Sequence, residues 1–170
     1  MIYRFRIILD TEEDVFRDLE IDEKATLEDL SNAIIQSFGF DGMEVASFYM
    51  SNDNWEQGVE FPQFDVAEGD EVIRTMGETI LENVVHENHT RLIYVYDFLN
   101  MWQFMVELAE IVEKDDAQTY PNLMFVQGQV PSQAPDIAFE VELNDDEEDE
   151  FDDDYDVDDF DSLNFDENWN

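Results

Sequence analysis

The chain of 170 residues contains no cysteine, and only 7 lysines or arginines against 46 aspartates or glutamates. The absence of cysteine excludes disulfide frameworks, thiol nucleophiles and thiolate metal sites. The formal net charge of −39 disfavours nucleic acid as a direct ligand and an anionic membrane as a docking surface, because both are bound through cationic side chains. A basic protein partner or a metal cation is what such a field attracts.

Long hydrophobic runs are also missing. No window approaches the roughly 18 apolar residues of a transmembrane helix. The opening MIYRFRIILDTEEDV has too short an apolar run for a signal peptide, so we expect a cytoplasmic protein. Acidity alone can reflect solubility or adaptation to high salt, but the 14 phenylalanines favour an ordinary hydrophobic core.

The acidic charge is most concentrated at the C-terminal end. Residues 144–170 hold 15 Asp or Glu and no Lys or Arg, which predicts a disordered tail and leaves 1–143 for one folded domain. Aromatic residues recur in this tail every four or five positions: Phe151, Tyr155, Phe160, Phe165 and Trp169. We interpret them as partner-binding residues, because acid keeps such side chains in water. The alternative is a solubilising extension with chance aromatics.

The first forty residues carry clear periodic patterns. Residues 2–9 alternate in polarity, which predicts a strand. Leu19 and Ile21 would point to one side of an extended chain and the neighbouring acids to the other, which predicts a second strand paired with the first. A short helix over 12–20 is the alternative. Thr26 is a suitable N-cap and Gly39 a suitable end for a helix. Its apolar stripe has spacings of three and four: Leu27, Leu30, Ile34 and Phe38.

The remainder predicts more strands than helices. Strands are expected at 45–50, 59–61, 91–98 and 102–112, a short helix at 79–85, and a long loop at 119–135. The segment 102–112 also suits a helix, but the short turn at 99–101 between two apolar runs favours a strand. Residues 139–143 alternate and are either a last edge strand or the start of disorder. The predicted fold class is α+β: a mixed sheet with one main helix packed across it, and a strand-strand-helix-strand start that is β-grasp-like.

Three stretches together resemble a known family. They are FGFDGMEVASFYM at 38–50, LIYVYDFLNMWQFMVEL at 92–108 and YPNLMFVQGQVP at 120–131. They are similar to the plasmid pRiA-type ORF-three-like domain family of plasmid and transposon passenger proteins. The residues that fit its most recognisable motif are Tyr96, Asp97, Phe98 and Trp102. The resemblance covers roughly residues 1–135 and leaves the acidic tail outside.

The resemblance implies a fold, a class of protein and a link to mobile elements, but no established reaction. Leu99 and Asn100 stand where the family has Gly-Asp, and Phe104 and Glu44 stand where it has histidines. If those polar positions form a site in the wider family, this chain has lost most of it.

Few residues suggest site chemistry. His86 and His89 have a spacing that metal ligands can use on a helix, but we interpret them as a solvated helix end. Asp97, in an apolar run, is expected to pair with an arginine or to accept backbone N–H groups in the following turn. The tail segment from Asp154 begins like a calcium loop but has Asp159 where that loop needs glycine.

We therefore predict no catalytic residue, no cofactor and no metal site. The leading hypothesis is a non-enzymatic protein-interaction module whose acidic tail engages a basic or hydrophobic partner. One alternative is a nucleic-acid mimic that inhibits a DNA-binding protein, which requires the negative charge to lie in rows on one face. The other is an enzyme, which requires a pocket with convergent polar groups around Asp97, Asn100 or the histidines.

Overall fold

The computed structural model describes residues 1–65, 69–70 and 72–135. The elements in chain order are β1 Ile2–Leu9, β2 Phe16–Asp22, α1 Leu27–Phe38, β3 Ala46–Met50, β4 Glu60–Pro62, β5 Arg91–Tyr96, β6 Trp102–Val112 and β7 Asn122–Gln127. Short 3-10 helices lie at Met76–Glu78 and Leu81–Asn83. Among the described residues, none of the helices has the length and apolar character needed to span a membrane.

The strands form one seven-stranded sheet in the order β4-β3-β5-β6-β1-β2-β7. Every strand pair in this sheet is antiparallel, so the prediction of a mixed sheet is wrong. The reason is the position of α1: it connects β2 to β3, which are not neighbours in the sheet, instead of joining adjacent parallel strands. The predicted combination of one main helix and a sheet is confirmed, whereas the β-grasp likeness is not.

Helix α1 begins and ends where its sequence predicts. The Thr26 hydroxyl accepts a hydrogen bond from the Asp29 N–H, and the Asp29 carboxylate accepts one from the Thr26 N–H, which completes a capping box. Gly39 ends the helix at φ 81°, a left-handed conformation that glycine adopts without steric cost. The predicted apolar stripe of α1 is buried along its whole length.

The face of the sheet that α1 covers is called the inner face here. Alternate residues of the central strands point to it, among them Phe5 of β1, Tyr94 of β5 and Phe104 of β6, all of which are fully buried. The Ser31 hydroxyl of α1 lies 2.7 Å from the Tyr94 hydroxyl and gives that buried phenol a hydrogen-bond partner. The opposite, outer face carries the charged side chains of the same strands.

Other predictions need correction. The helix predicted at 79–85 is only a 3-10 turn, because Thr26 and Ile80 form an isolated β-bridge that holds the chain extended before Leu81. The loop predicted at 119–135 contains β7, which pairs with β2. The alternative helix over 12–20 is not formed, since residues 12–15 belong to no element and β2 begins at Phe16. Residues 139–143 lie outside the described part of the chain.

Candidate functional site

The predicted partner-binding aromatics of the tail, Phe151, Tyr155, Phe160, Phe165 and Trp169, all lie beyond the described residues. The structure therefore bears on the other candidates, which belong to the folded part. These are the family-motif residues, the two histidines and the distribution of charge.

The family-motif residues Tyr96 and Trp102 lie opposite each other at the end of the β5–β6 pair. Phe40 packs against both rings, with centroid distances of 4.8 Å to Tyr96 and 5.1 Å to Trp102. The Tyr96 hydroxyl donates to the Asp41 carboxylate at 3.1 Å and accepts from the Gly42 N–H at 3.0 Å. Burial raises the Tyr96 pKa, and the nearby Asp41 carboxylate acts in the same direction. This part of the motif therefore anchors the chain that follows α1.

Asp97 organises the turn between β5 and β6. Its backbone has φ 67°, and its carboxylate accepts hydrogen bonds from the Leu99 N–H, the Asn100 N–H and the Asn100 side-chain amide. The hydrogen bond from the Asn100 side-chain amide, at 2.6 Å, is the main reason that the pKa of Asp97 lies below its usual value. Of the two alternatives predicted for Asp97, the acceptance of backbone N–H groups in the following turn is the one that is confirmed. Phe98, next to it, is exposed.

The two positions where the family carries histidine have different surroundings in this chain. Phe104 is fully buried among aromatic rings, 4.8 Å from Phe38 and 5.8 Å from Tyr94. Glu44 is exposed, and only its backbone N–H contacts the Tyr96 hydroxyl, at 3.4 Å. Phe104 thus supplies core packing at a position where a polar side chain would meet a hydrophobic interior.

His86 and His89 do not lie on a helix end, so that prediction is wrong. They face each other across a tight turn, in which each backbone N–H donates to the other residue's carbonyl. Their rings are 6.3 Å apart, and no group of three or more metal-ligating side chains gathers anywhere in the described ranges. Residues Glu87 and Asn88 form the turn itself, which explains why the chain reverses there instead of continuing as a helix.

A polar pocket of about 330 Å³ lies beside this turn and includes His89, Arg91 and Asp53. The Arg91 guanidinium is already engaged: it donates to the Asp53 carbonyl at 2.6 Å, pairs with Glu107 at 3.4 Å and lies over the Trp55 ring at 4.7 Å. The pocket therefore contains polar groups, but its cation is held by the protein's own acceptors.

The distribution of the cations is the feature that the sequence patterns did not reveal. Five of the seven Lys and Arg side chains form ion pairs with carboxylates: Arg4, Arg6, Lys24, Arg91 and Lys114. A sixth, Arg17, is buried against backbone carbonyls. These six cations are thus bound by the protein's own acceptors, and seven cations are too few to pair with most of the 46 carboxylates.

The outer face shows this neutralisation most clearly. Arg4 donates to Glu20 at 2.8 Å and to Glu110 at 2.9 Å, and Arg6 forms two bonds of 2.9 Å to Asp18. Cross-strand register places these partners directly opposite one another on neighbouring strands. The charges of this face therefore alternate in sign across the strands, with arginines on β1 and carboxylates on β2 and β6.

The fold and the motif cluster define an α+β protein with one helix over an antiparallel sheet. The chain belongs to the Plasmid pRiA4b ORF-3-like protein family, which matches residues 1–168, so the resemblance read from the motifs is confirmed. The match also includes most of the acidic segment, which the motif resemblance had left outside.

A solved structure and the curated proteins complete the comparison. The chain is similar to a protein of unknown function from Methanosarcina mazei Go1, with a TM-score of 0.63 and 21% identity over 74% of this chain and 68% of that one. At this identity the likeness shows the fold alone. No curated protein matches the chain.

Proposed function

We propose that this protein is a non-enzymatic, cytoplasmic interaction module that binds a basic protein partner, with its acidic tail as the principal contact. The observation that carries the proposal is the internal use of its cations. Five of seven are paired with carboxylates and a sixth is buried, so the remaining acids present an uncompensated negative field. Such a field accelerates encounter with a positively charged partner.

The tail adds apolar contacts to this field. Its five aromatic residues are separated by acids, so each ring has room to dock separately. Burial of one such side chain contributes about 1.5–3 kcal/mol before the cost of ordering the segment. Charge would then determine the rate of encounter, and the aromatic rings would determine how long the complex lasts.

The test separates these two contributions. In one variant, all five tail aromatics are replaced by serine and every acid is kept; in the other, residues 144–170 are deleted. Partners captured from an extract of the source organism are quantified at low and high salt. We expect the serine variant to lose the partners that survive high salt, and the deletion to lose those seen at low salt as well. Recovery of the same partners by all three proteins would refute the tail's role.

The nucleic-acid mimic is less well supported. That hypothesis requires an unbroken face of negative charge, whereas on the outer face Arg4 and Arg6 of β1 stand between the carboxylates of β2 and β6. The basic surface of a DNA-binding protein would therefore face the arginines of β1 as well as the carboxylates of the neighbouring strands. We therefore favour a basic protein segment over a DNA-binding groove as the partner.

A further inference from the structure

The two edges of the sheet differ in how they are protected. Strand β4 at one edge has only three residues and contains Glu60 and Pro62, features that discourage pairing with another chain. Strand β7 at the other edge has six residues, NLMFVQ, with no charge and no proline. In a chain in which 31% of residues are charged, such a strand has none of the usual protections of an edge, and among the described residues β2 is its one pairing partner.

The side chains of β7 are apolar and accessible on both faces of the sheet. Leu123, Met124, Phe125 and Val126 are each 44–51% exposed. Phe125 stacks on Phe16 of β2 with ring centroids 5.8 Å apart. Beside Leu123, a groove of about 280 Å³ runs between the strand and α1. A strand added next to β7 would therefore have apolar neighbours for its side chains on both faces of the sheet.

Acidic residues lie at both ends of this apolar strand. At its C-terminal end, Gly128 lies so close to the Asp14 carbonyl that no side chain fits, and Glu12, Glu13 and Asp14 are exposed there. At its N-terminal end, the Tyr120 hydroxyl accepts from the Asp115 N–H at 3.2 Å, and Asp115 and Asp116 are exposed.

We propose that the free edge of β7 binds an extended segment of a partner protein that has apolar residues at its centre and Lys or Arg at both ends. Backbone hydrogen bonds to β7 would supply affinity, and the acids at its two ends would select the flanking cations. The proposal uses no residue of the acidic tail.

The charge pattern argues against a second copy of this chain as the occupant. Antiparallel pairing of two β7 strands would bring the acids at one end of each strand against the acids at the other end of its partner. Like charges opposed in this way destabilise an interface. A basic strand meets opposite charge at both ends instead.

The test uses the full-length protein and a fluorescein-labelled peptide of alternating Val and Thr, with two Lys at each end. Two control peptides carry Glu in place of Lys, or Pro in place of the central Val, because proline cannot donate to a ladder. We expect the Lys peptide to bind at least about tenfold more tightly than either control. Amide hydrogen exchange in 122–127 should slow on binding.

A matched pair of protein variants locates the site. Val126→Lys places a charge on β7, whereas Val72→Lys makes the same change at a position that is 93% exposed and belongs to none of the strands. We expect Val126→Lys to weaken peptide binding by about tenfold and Val72→Lys by less than about twofold. Circular dichroism verifies that both variants are folded. The comparison of the three peptides uses the unaltered protein, so it remains a valid test even if Val126→Lys does not fold.

Three results would overturn the proposal. The first is equal binding of the proline peptide, and the second is an equal effect of the two valine substitutions. The third is slow exchange, in the free protein, of the amides of 122–127 that point away from β2, because the edge would then already be covered. Sedimentation would show whether a second copy covers it. Replacing the tail aromatics with serine should leave peptide binding unchanged, so failure here is distinct from failure of the tail's proposed role.

Discussion

Arg17 is a buried cation that has no carboxylate partner within the part of the chain that the structure describes. Its guanidinium donates to the Ser37 carbonyl at 2.9 Å, in the last turn of α1, and to carbonyls of Gln127 and Gly128 at 2.9 and 3.2 Å. It also lies over the Phe38 ring at 4.6 Å. Burial lowers the Arg17 pKa, but an arginine stays charged, and the carbonyl dipoles at a helix C-terminus favour that charge.

Replacement of this arginine removes a charged donor from the Ser37, Gln127 and Gly128 carbonyls. We expect Arg17→Met to lower the free energy of unfolding by about 1–3 kcal/mol, the usual contribution of hydrogen bonds to a charged group. Arg74→Met is the matched control, because Arg74 is exposed, and its effect should stay within about 0.5 kcal/mol. Urea denaturation measures both. Equal stabilities of the two variants would show that the carbonyl contacts of Arg17 contribute nothing.

Asp97 gives a pH-dependent prediction. Hydrogen bonds from Asn100 and from the turn lower its pKa, so its stabilising effect is present above the unfolded-state pKa and is lost as pH falls through the folded-state value. Asparagine tolerates the positive φ but carries no charge. We expect Asp97→Asn to be less stable than wild type by about 1 kcal/mol at neutral pH, with the gap closing below about pH 4.

The measurement is thermal unfolding of wild type and Asp97→Asn across the acid range, compared at each pH. The comparison removes the effect of the other carboxylates, which titrate in both proteins. A gap that stays constant down to about pH 2 would show that the charge of Asp97 does not stabilise the turn.

At the scale of elements, α1 depends on its N-terminal cap. The Thr26 hydroxyl accepts from the Asp29 N–H at 3.1 Å, and the loss of such a cap costs about 1 kcal/mol. We expect Thr26→Ala to lower the stability by that amount and Thr26→Ser to retain most of it, because serine keeps the acceptor. If calorimetry finds that Thr26→Ser is as destabilised as Thr26→Ala, the methyl group and not the hydroxyl is what matters.

The elements that sequence reasoning predicted are those with a strong period. Strand β1 alternates, α1 has a stripe with caps at both ends, and β6 was correctly assigned as a strand. Strand β7 was missed because NLMFVQ has no alternation of polar and apolar residues and lies between prolines. Its assignment depends on pairing with β2, a contact between distant parts of the chain that local patterns do not contain.

In the candidate site, too, local features could be predicted and contacts between distant parts of the chain could not. The role of Asp97 followed from local chemistry, because an aspartate before a turn has N–H groups within reach. The positions of the arginines did not: Arg17 meets Ser37, Gln127 and Gly128 only after the helix and β7 have packed beside β2. The histidine turn was misassigned because a short polar segment fits a helix end and a reversal equally well.

At the scale of the whole molecule, the largest electrostatic effect is self-repulsion. A net charge of −39 on one chain opposes compaction, and the few ion pairs cancel only a small part of it. Repulsion is stronger in the folded chain than in the expanded one, since folding brings the charges closer together. Salt screens charges that are farther apart than about 10 Å at roughly 0.1 M ionic strength. Added salt should therefore stabilise the fold, even though it weakens each exposed ion pair.

We expect the melting temperature at neutral pH to rise by several degrees as sodium chloride increases from about 0.01 to about 0.5 M, a range over which the screening length falls from about 30 Å to a few ångströms. The matched control is the same titration near pH 4, where many carboxylates take up protons and the repulsion is reduced. There the salt effect should be much smaller. A rise of equal size at both pH values would indicate a general effect of salt on apolar burial. A fall at neutral pH would mean that the ion pairs of the outer face, few as they are, contribute more to stability than relief of the repulsion does.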